Sequence, residues 1–172
     1  MSDDCDRPLP VLVLGLGNLL LRDDAAGLRL LDELRQLHGD DRRIEFVDGG
    51  TQGIALTALF GGRAAVLLLD AVQVGAPAGT VHRVLDPLQR PPRGNAGAKG
   101  GAHQMNAGDL LLTASLLGEL PRCLAVVGIE PAVVRTGIGL SPEVEAAIPA
   151  AAEAASSVLR ELLGAEVLAC TN

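Results

Sequence analysis

The chain has 172 residues, the length of one domain with a central sheet covered by helices. It contains no Trp or Tyr and only two Phe, so its core has to be built from Leu, Val, Ile and Ala. A formal net charge of −7 argues against a general nucleic-acid surface, which needs a basic face to displace counterions. Cys5, Cys123 and Cys170 are far apart and form no C-x-x-C pair, which indicates neither a zinc knuckle nor a disulfide framework and fits a reducing cytoplasm.

The first apolar run, from Val11, follows Asp3, Asp4 and Asp6 and is broken by glycine, so neither a signal peptide nor a membrane anchor is expected. Residues 1–9 read as a tail. Val11–Leu14 lack polar alternation and are predicted to form a strand buried on both faces. Gly15 and Gly17 make the turn. From Asp24 onward Leu30, Leu31, Leu34 and Leu37 share one helical face. This strand, glycine turn and helix invite a dinucleotide-binding reading, but the third glycine of G-x-G-x-x-G is Leu20 here. Asp23 and Asp24 also place negative charge where a helix dipole would hold a phosphate. Aspartate is a common helix cap, yet one cap needs only one aspartate.

Ile44–Val47 is the second predicted strand, and it ends in Asp48-Gly49-Gly50-Thr51. Such a strand end is where α/β proteins build sites; an acid there could touch a ribose, and the plainer reading is a tight turn with Thr51 capping a short helix over Ile54–Phe60. Ala64–Leu69 is a third apolar strand that delivers Asp70 at its C-terminal end, where an unpaired carboxylate is expensive to desolvate. Thr80–Leu85 reads as an edge or hairpin strand with His82 at the surface. Residues 86–102, rich in Pro and Gly, are expected to form a mobile loop. His103 follows, at or just before a helix that carries Leu110, Leu111, Ala114 and Leu117; there the dipole favours a neutral imidazole. Leu124–Ile129 is another buried strand. Ser141-Pro142-Glu143 starts a last helix, which should run to Leu163 and stop at Gly164, leaving residues 166–172 as a tail. The alternation predicts one α/β domain over residues 1–172: a three-layer sandwich, mostly parallel, with helices on both faces and one strand able to run antiparallel at an edge.

Asp24, Asp70 and His103 each follow a strand or precede a helix, and such positions gather at one end of an open α/β sheet. Two carboxylates and a neutral imidazole suit a divalent first-row ion and leave coordination positions open. No G-x-S-x-G occurs, and Cys123 begins a buried strand, so no serine or cysteine triad is visible.

Taken together, GLGNLLLRDDAAG, VDGGTQG, LLLDA, AHQ, VVGIEP and GIGLSPEVEAAI resemble, in order and from about Val11 to Leu163, the hydrogenase maturation endopeptidases. The resemblance implies a protease that removes the C-terminal extension of a nickel–iron hydrogenase large-subunit precursor after nickel insertion. It implies metal-contacting roles for Asp24, Asp70 and His103, and substrate handling by Asp48, Gly49, Gly50 and Thr51. The first acid of the family is often Glu; Asp24 is shorter by one methylene. Nickel is expected to arrive with the precursor rather than to reside in the protein, and neither nucleic acid nor membrane is expected as a partner. A Rossmann-like nucleotide-binding enzyme and a non-catalytic nickel-sensing chaperone are the alternatives.

Overall fold

A computed structural model describes residues 11–88 and 106–169, with side chains described as far as Gly164. Its elements are β1 (Val11–Leu16), α1 (Ala26–His38), β2 (Ile44–Gly50), β3 (Ala65–Ala71), β4 (Val81–Leu85), α2 (Ala107–Leu117), β5 (Cys123–Ile129) and α3 (Pro142–Ala169). Two 3-10 helical segments, Arg22–Ala25 and Gly53–Leu59, lie between them.

The five strands form one sheet in the order β2-β1-β3-β5-β4. All neighbours are parallel except β4, which runs antiparallel to β5 at one edge. The three-layer α/β sandwich read from the sequence is therefore the fold. Side-chain alternation explains the layers. Val11 and Val13 of β1, with Leu67 and Leu69 of β3, face α1 and α3. Leu12 and Leu14, with Val66 and Leu68, face α2 and the Gly53–Leu59 segment. Because both faces are covered, every residue of β1 is buried and the strand shows no polar alternation.

The order of strands turns back between β1 and β3, and open α/β sheets bind their ligands at that kind of crevice, beyond the strands' carboxyl ends. What brings α1 down onto it is Gly27. A β-carbon at Gly27 would lie 2.3 Å from the Leu69 carbonyl oxygen and 2.4 Å from that of Leu16. The close helix-to-strand approach that a dinucleotide fold obtains with its third glycine is thus made seven residues after Leu20. Gly27→Ala is expected to cost about 2 kcal/mol by overpacking against backbone that cannot yield. That lowers Tm by roughly 6 °C in a chain of this size; an unchanged melting curve would contradict the close approach.

Three sequence expectations need correction. The last helix does not stop at Gly164 but continues to Ala169, so residues 166–169 are helical rather than tail. One exposed glycine costs a helix only ~1 kcal/mol, too little to end a run of Ala and Leu. The 3-10 segment Gly53–Leu59 begins after Gln52 without a side-chain cap, so Thr51 is not its cap. His82 is not a free surface side chain: its Nε2 lies 2.9 Å from Glu130 Oε2. Antiparallel pairing sets His82 opposite Gly128, two residues before Glu130, and the space a Gly128 side chain would need is taken by Val72. The expected N-terminal tail and most of the expected 86–102 loop lie outside the described residues.

Candidate functional site

The two adjacent aspartates after β1 take separate tasks. Asp23 is 0 % exposed. Its Oδ2 accepts from the amides of Ala132 (2.9 Å) and Val133 (2.8 Å) and from the Ser141 hydroxyl (2.8 Å), while Oδ1 accepts from the Ser141 amide (2.6 Å). Burial pushes this carboxyl up, but the hydrogen bonds from Ser141, Val133 and Ala132 outweigh it and hold the group below the ordinary carboxylate range. Asp23 therefore ties the turn after β1 to the segment between β5 and α3. Neither aspartate caps α1, whose N-cap position is Ala25 with no side-chain bond.

With Asp23 turned inward, Asp24 is left for the rim. Its Oδ2 accepts from the Asn18 amide (2.8 Å), and Asn18 Oδ1 in turn accepts from the Leu20 amide (2.9 Å), which fixes the glycine turn around the carboxylate. The 3-10 segment that carries Asp24 packs against β3, and its charge reaches Asp70.

Asp70 lies next to last in β3 and is buried. Its Oδ1 accepts from the Ala71 amide and its Oδ2 from the Ala107 amide at the start of α2, both at 2.8 Å. Burial pushes the Asp70 carboxyl up to about 7, with the charges of Asp24 and Asp109 adding to it and the amides of Ala107 and Ala71 opposing it. A carboxyl in that range can take or give a proton near neutral pH. A cation between Asp24 and Asp70 would favour the ionised form of Asp70 against its burial and against the charge of Asp24. Helix α2, whose start meets Asp70, is fixed by a capping box of Asn106 and Asp109. His103 lies outside the described residues, and among these no three ligating side chains gather in one group.

Asp48, Gly50 and Thr51 line a cavity of about 250 Å³ together with Gly17, Asn18, Leu19 and Leu28. The end of β2 and the glycine turn thus share one depression. It lies where the register between β1 and β2 shifts after Gly15, bringing Leu16 opposite Gly50 instead of Gly49. Gly49 does not line the cavity: a β-carbon there would press on Leu14 and Leu56 at about 3 Å, so this glycine serves packing.

Two contributors had no clear sequence signal. Gly27 carries its meaning only through carbonyls on two other strands. Glu130, which follows β5, accepts from the amides of Val74 and Gly75 and meets His82. Burial pushes its carboxyl up, but the two amides and the imidazole outweigh this and hold it low. It clamps the segment that leaves Asp70 to the end of β5 and to the edge strand β4.

Residues 28–158 match the model of a family described as hydrogenase maturation protease. The chain is 34 % identical to the hydrogenase 2 maturation protease of Escherichia coli over 88 % of its own length and 91 % of that protein's. It is also 34 % identical to a hydrogenase expression/formation protein of Thiocapsa roseopersicina, over 88 % of this chain and 68 % of that one. The solved hydrogenase maturating endopeptidase of E. coli superposes with a TM-score of 0.73 at 33 % identity, covering 89 % of this chain and 93 % of that chain.

Proposed function

The chain belongs to the hydrogenase maturation protease family, and from that premise we propose that it removes the C-terminal extension from the large-subunit precursor of a nickel–iron hydrogenase after nickel insertion. The observation that carries the chemistry is the buried Asp70 at the β1–β3 crevice, pushed up to about 7 by burial with the charge of Asp24 reaching it.

In this reading nickel is part of the substrate, held by the precursor's own site. Asp24 and Asp70, with His103 assigned from the sequence alone, complete its coordination. The charge of the ion would favour the ionised form of Asp70, so Asp70 would release its proton to solvent as it ligates. Only a metallated precursor offers that ion, which makes cleavage report that insertion is finished. An ion held there would supply Lewis-acid polarisation of the scissile carbonyl. A water attacks the carbonyl carbon, passes its proton to a carboxylate oxygen, and that proton goes on to the departing amine as the C–N bond breaks. Asp48, Gly50 and Thr51 receive the chain beside the cut. A cytoplasmic reaction fits the cysteine usage; no helix among the described residues is long and apolar enough to cross a membrane.

Intact-mass spectrometry of the precursor tests the proposal. Incubation with catalytic amounts of the protein should shorten the nickel-loaded precursor by one C-terminal peptide and leave the nickel-free precursor at full mass. If the loaded precursor binds yet keeps its mass, the protein is a nickel-sensing chaperone.

A further inference from the structure

Beside Asp24 the surface changes character. Leu19 and Leu20 are 61 % and 62 % exposed, and Ile138 is 84 % exposed. Single exposed aliphatic residues are ordinary, but these three lie together. Leu21 and Gly137 form a parallel bridge, in which the Gly137 amide donates to the Leu20 carbonyl (2.9 Å) and the Arg22 amide to the Gly137 carbonyl (3.1 Å). That register sets Arg22 beside Ile138. Leu19 also lines the cavity that contains Asp48, Gly50 and Thr51, so the apolar rim joins that cavity to the bridge.

Arg22 occupies this rim at a cost. Its φ is +52°, in the left-handed region that a β-carbon disfavours. Its side-chain carbons lie against Gly137, where a β-carbon would stand 3.1 Å from Arg22 Cγ. Its Nε is buried without a hydrogen-bond partner, and among the described residues the guanidinium forms no ion pair. Backbone strain and an orphaned cationic donor in one residue, next to Asp23 and Asp24, call for a partner that another state supplies.

We infer that Leu19, Leu20, Ile138 and Arg22 form the docking surface for the precursor segment beside the scissile bond, with Arg22 pairing a carboxylate on that segment. The inference rests on the protease reading above. A peptide bond brought to Asp24 and Asp70 has its flanking residues beside this rim. At about 3.3 Å per residue a few extended residues span it. Their apolar side chains lie on the leucines and Ile138. A carboxylate, from a side chain or from the chain terminus, pairs with the Nη groups of the guanidinium, and a turn of the side chain out of its buried position brings Nε into the same forked contact.

Calorimetric titration with nickel-loaded precursor, alongside intact-mass detection of cleavage, separates this inference from the reading beneath it. Arg22→Gly is expected to weaken precursor binding roughly tenfold or more. Its thermal midpoint should equal or exceed the parent's, because glycine is at ease at this φ. Arg22→Lys keeps the charge but not the fork and should restore binding only in part, and Ile138→Asp should weaken it as Arg22→Gly does. Precursors with one nearby carboxylate changed to its amide, and one with an amidated C-terminus, identify the source of the anion. The responsible change weakens binding to the parent but not to Arg22→Gly. Parent-like affinity in both Arg22→Gly and Ile138→Asp overturns the docking surface. Tight binding that these variants lose, without any shortening of the precursor, supports the surface and overturns the protease reading instead.

Discussion

Asp70→Asn should yield a folded protein that shortens nickel-loaded precursor at least about a hundredfold more slowly than the parent, the usual order for losing a general acid–base group. The amide matches the carboxyl in size and can still accept one of the two bonds from the Ala71 and Ala107 amides. It can neither ionise against a cation nor carry a proton from water to amine. The same substitution has a pH signature. Asp70 is raised from 3.8 to about 7, so between these values the unfolded chain ionises while the folded one resists. The parent therefore loses stability as pH rises through this window, and Asn does not. Denaturant titration at pH 4 and pH 8 should show the stability difference moving in the variant's favour at the higher pH. A difference that does not change with pH would mean that Asp70 is not held protonated by its surroundings.

Asp23→Ala should have the largest effect on stability, about 4 kcal/mol, because three amides and one hydroxyl lose their acceptor in a place water does not reach. That corresponds to a fall in Tm of roughly 12 °C. The folded carboxyl lies below its ordinary value of 3.8, so its contribution is complete above that pH and is lost as pH falls through the folded value. Asp23→Asn keeps the shape with one acceptor oxygen and should lose about half as much. Asp24→Ala, one residue on, should abolish processing while shifting Tm far less. Equal melting of the two alanine variants would contradict the division between an inward and an outward aspartate.

The framework was legible where local pattern decides structure. Val11–Leu14 and Ala64–Leu69 show the uninterrupted apolar runs of strands covered on both faces, and both strands form, each extended by a residue or two. The antiparallel edge strand also followed from pattern. The division between Asp23 and Asp24 did not, because Asp23 is turned inward by Ser141, 118 positions away, and no local periodicity encodes that contact. Gly27 was silent for the same reason: the carbonyls it approaches belong to Leu16 and Leu69, on two strands. His82 read as a surface residue because its partner, Glu130, reaches it only through the pairing of β4 with β5. Asp70 was conspicuous from sequence as a lone acid after an apolar run, but its raised pKa comes first from its burial in the folded chain, with the charge of Asp24 from another element adding to it.

X-ray absorption at the nickel edge is the most direct probe of whether these carboxylates meet the ion carried by the precursor. Spectra of the loaded precursor should change when the parent protein is mixed in and frozen before cleavage, with added oxygen or nitrogen neighbours at nickel. The Asp24→Ala, Asp70→Ala double variant should lose the added oxygen neighbours, keeping at most one nitrogen from His103, although it binds the precursor. Identical nickel spectra with and without the parent, in a mixture that goes on to cleave, would show that the carboxylates do not touch the metal.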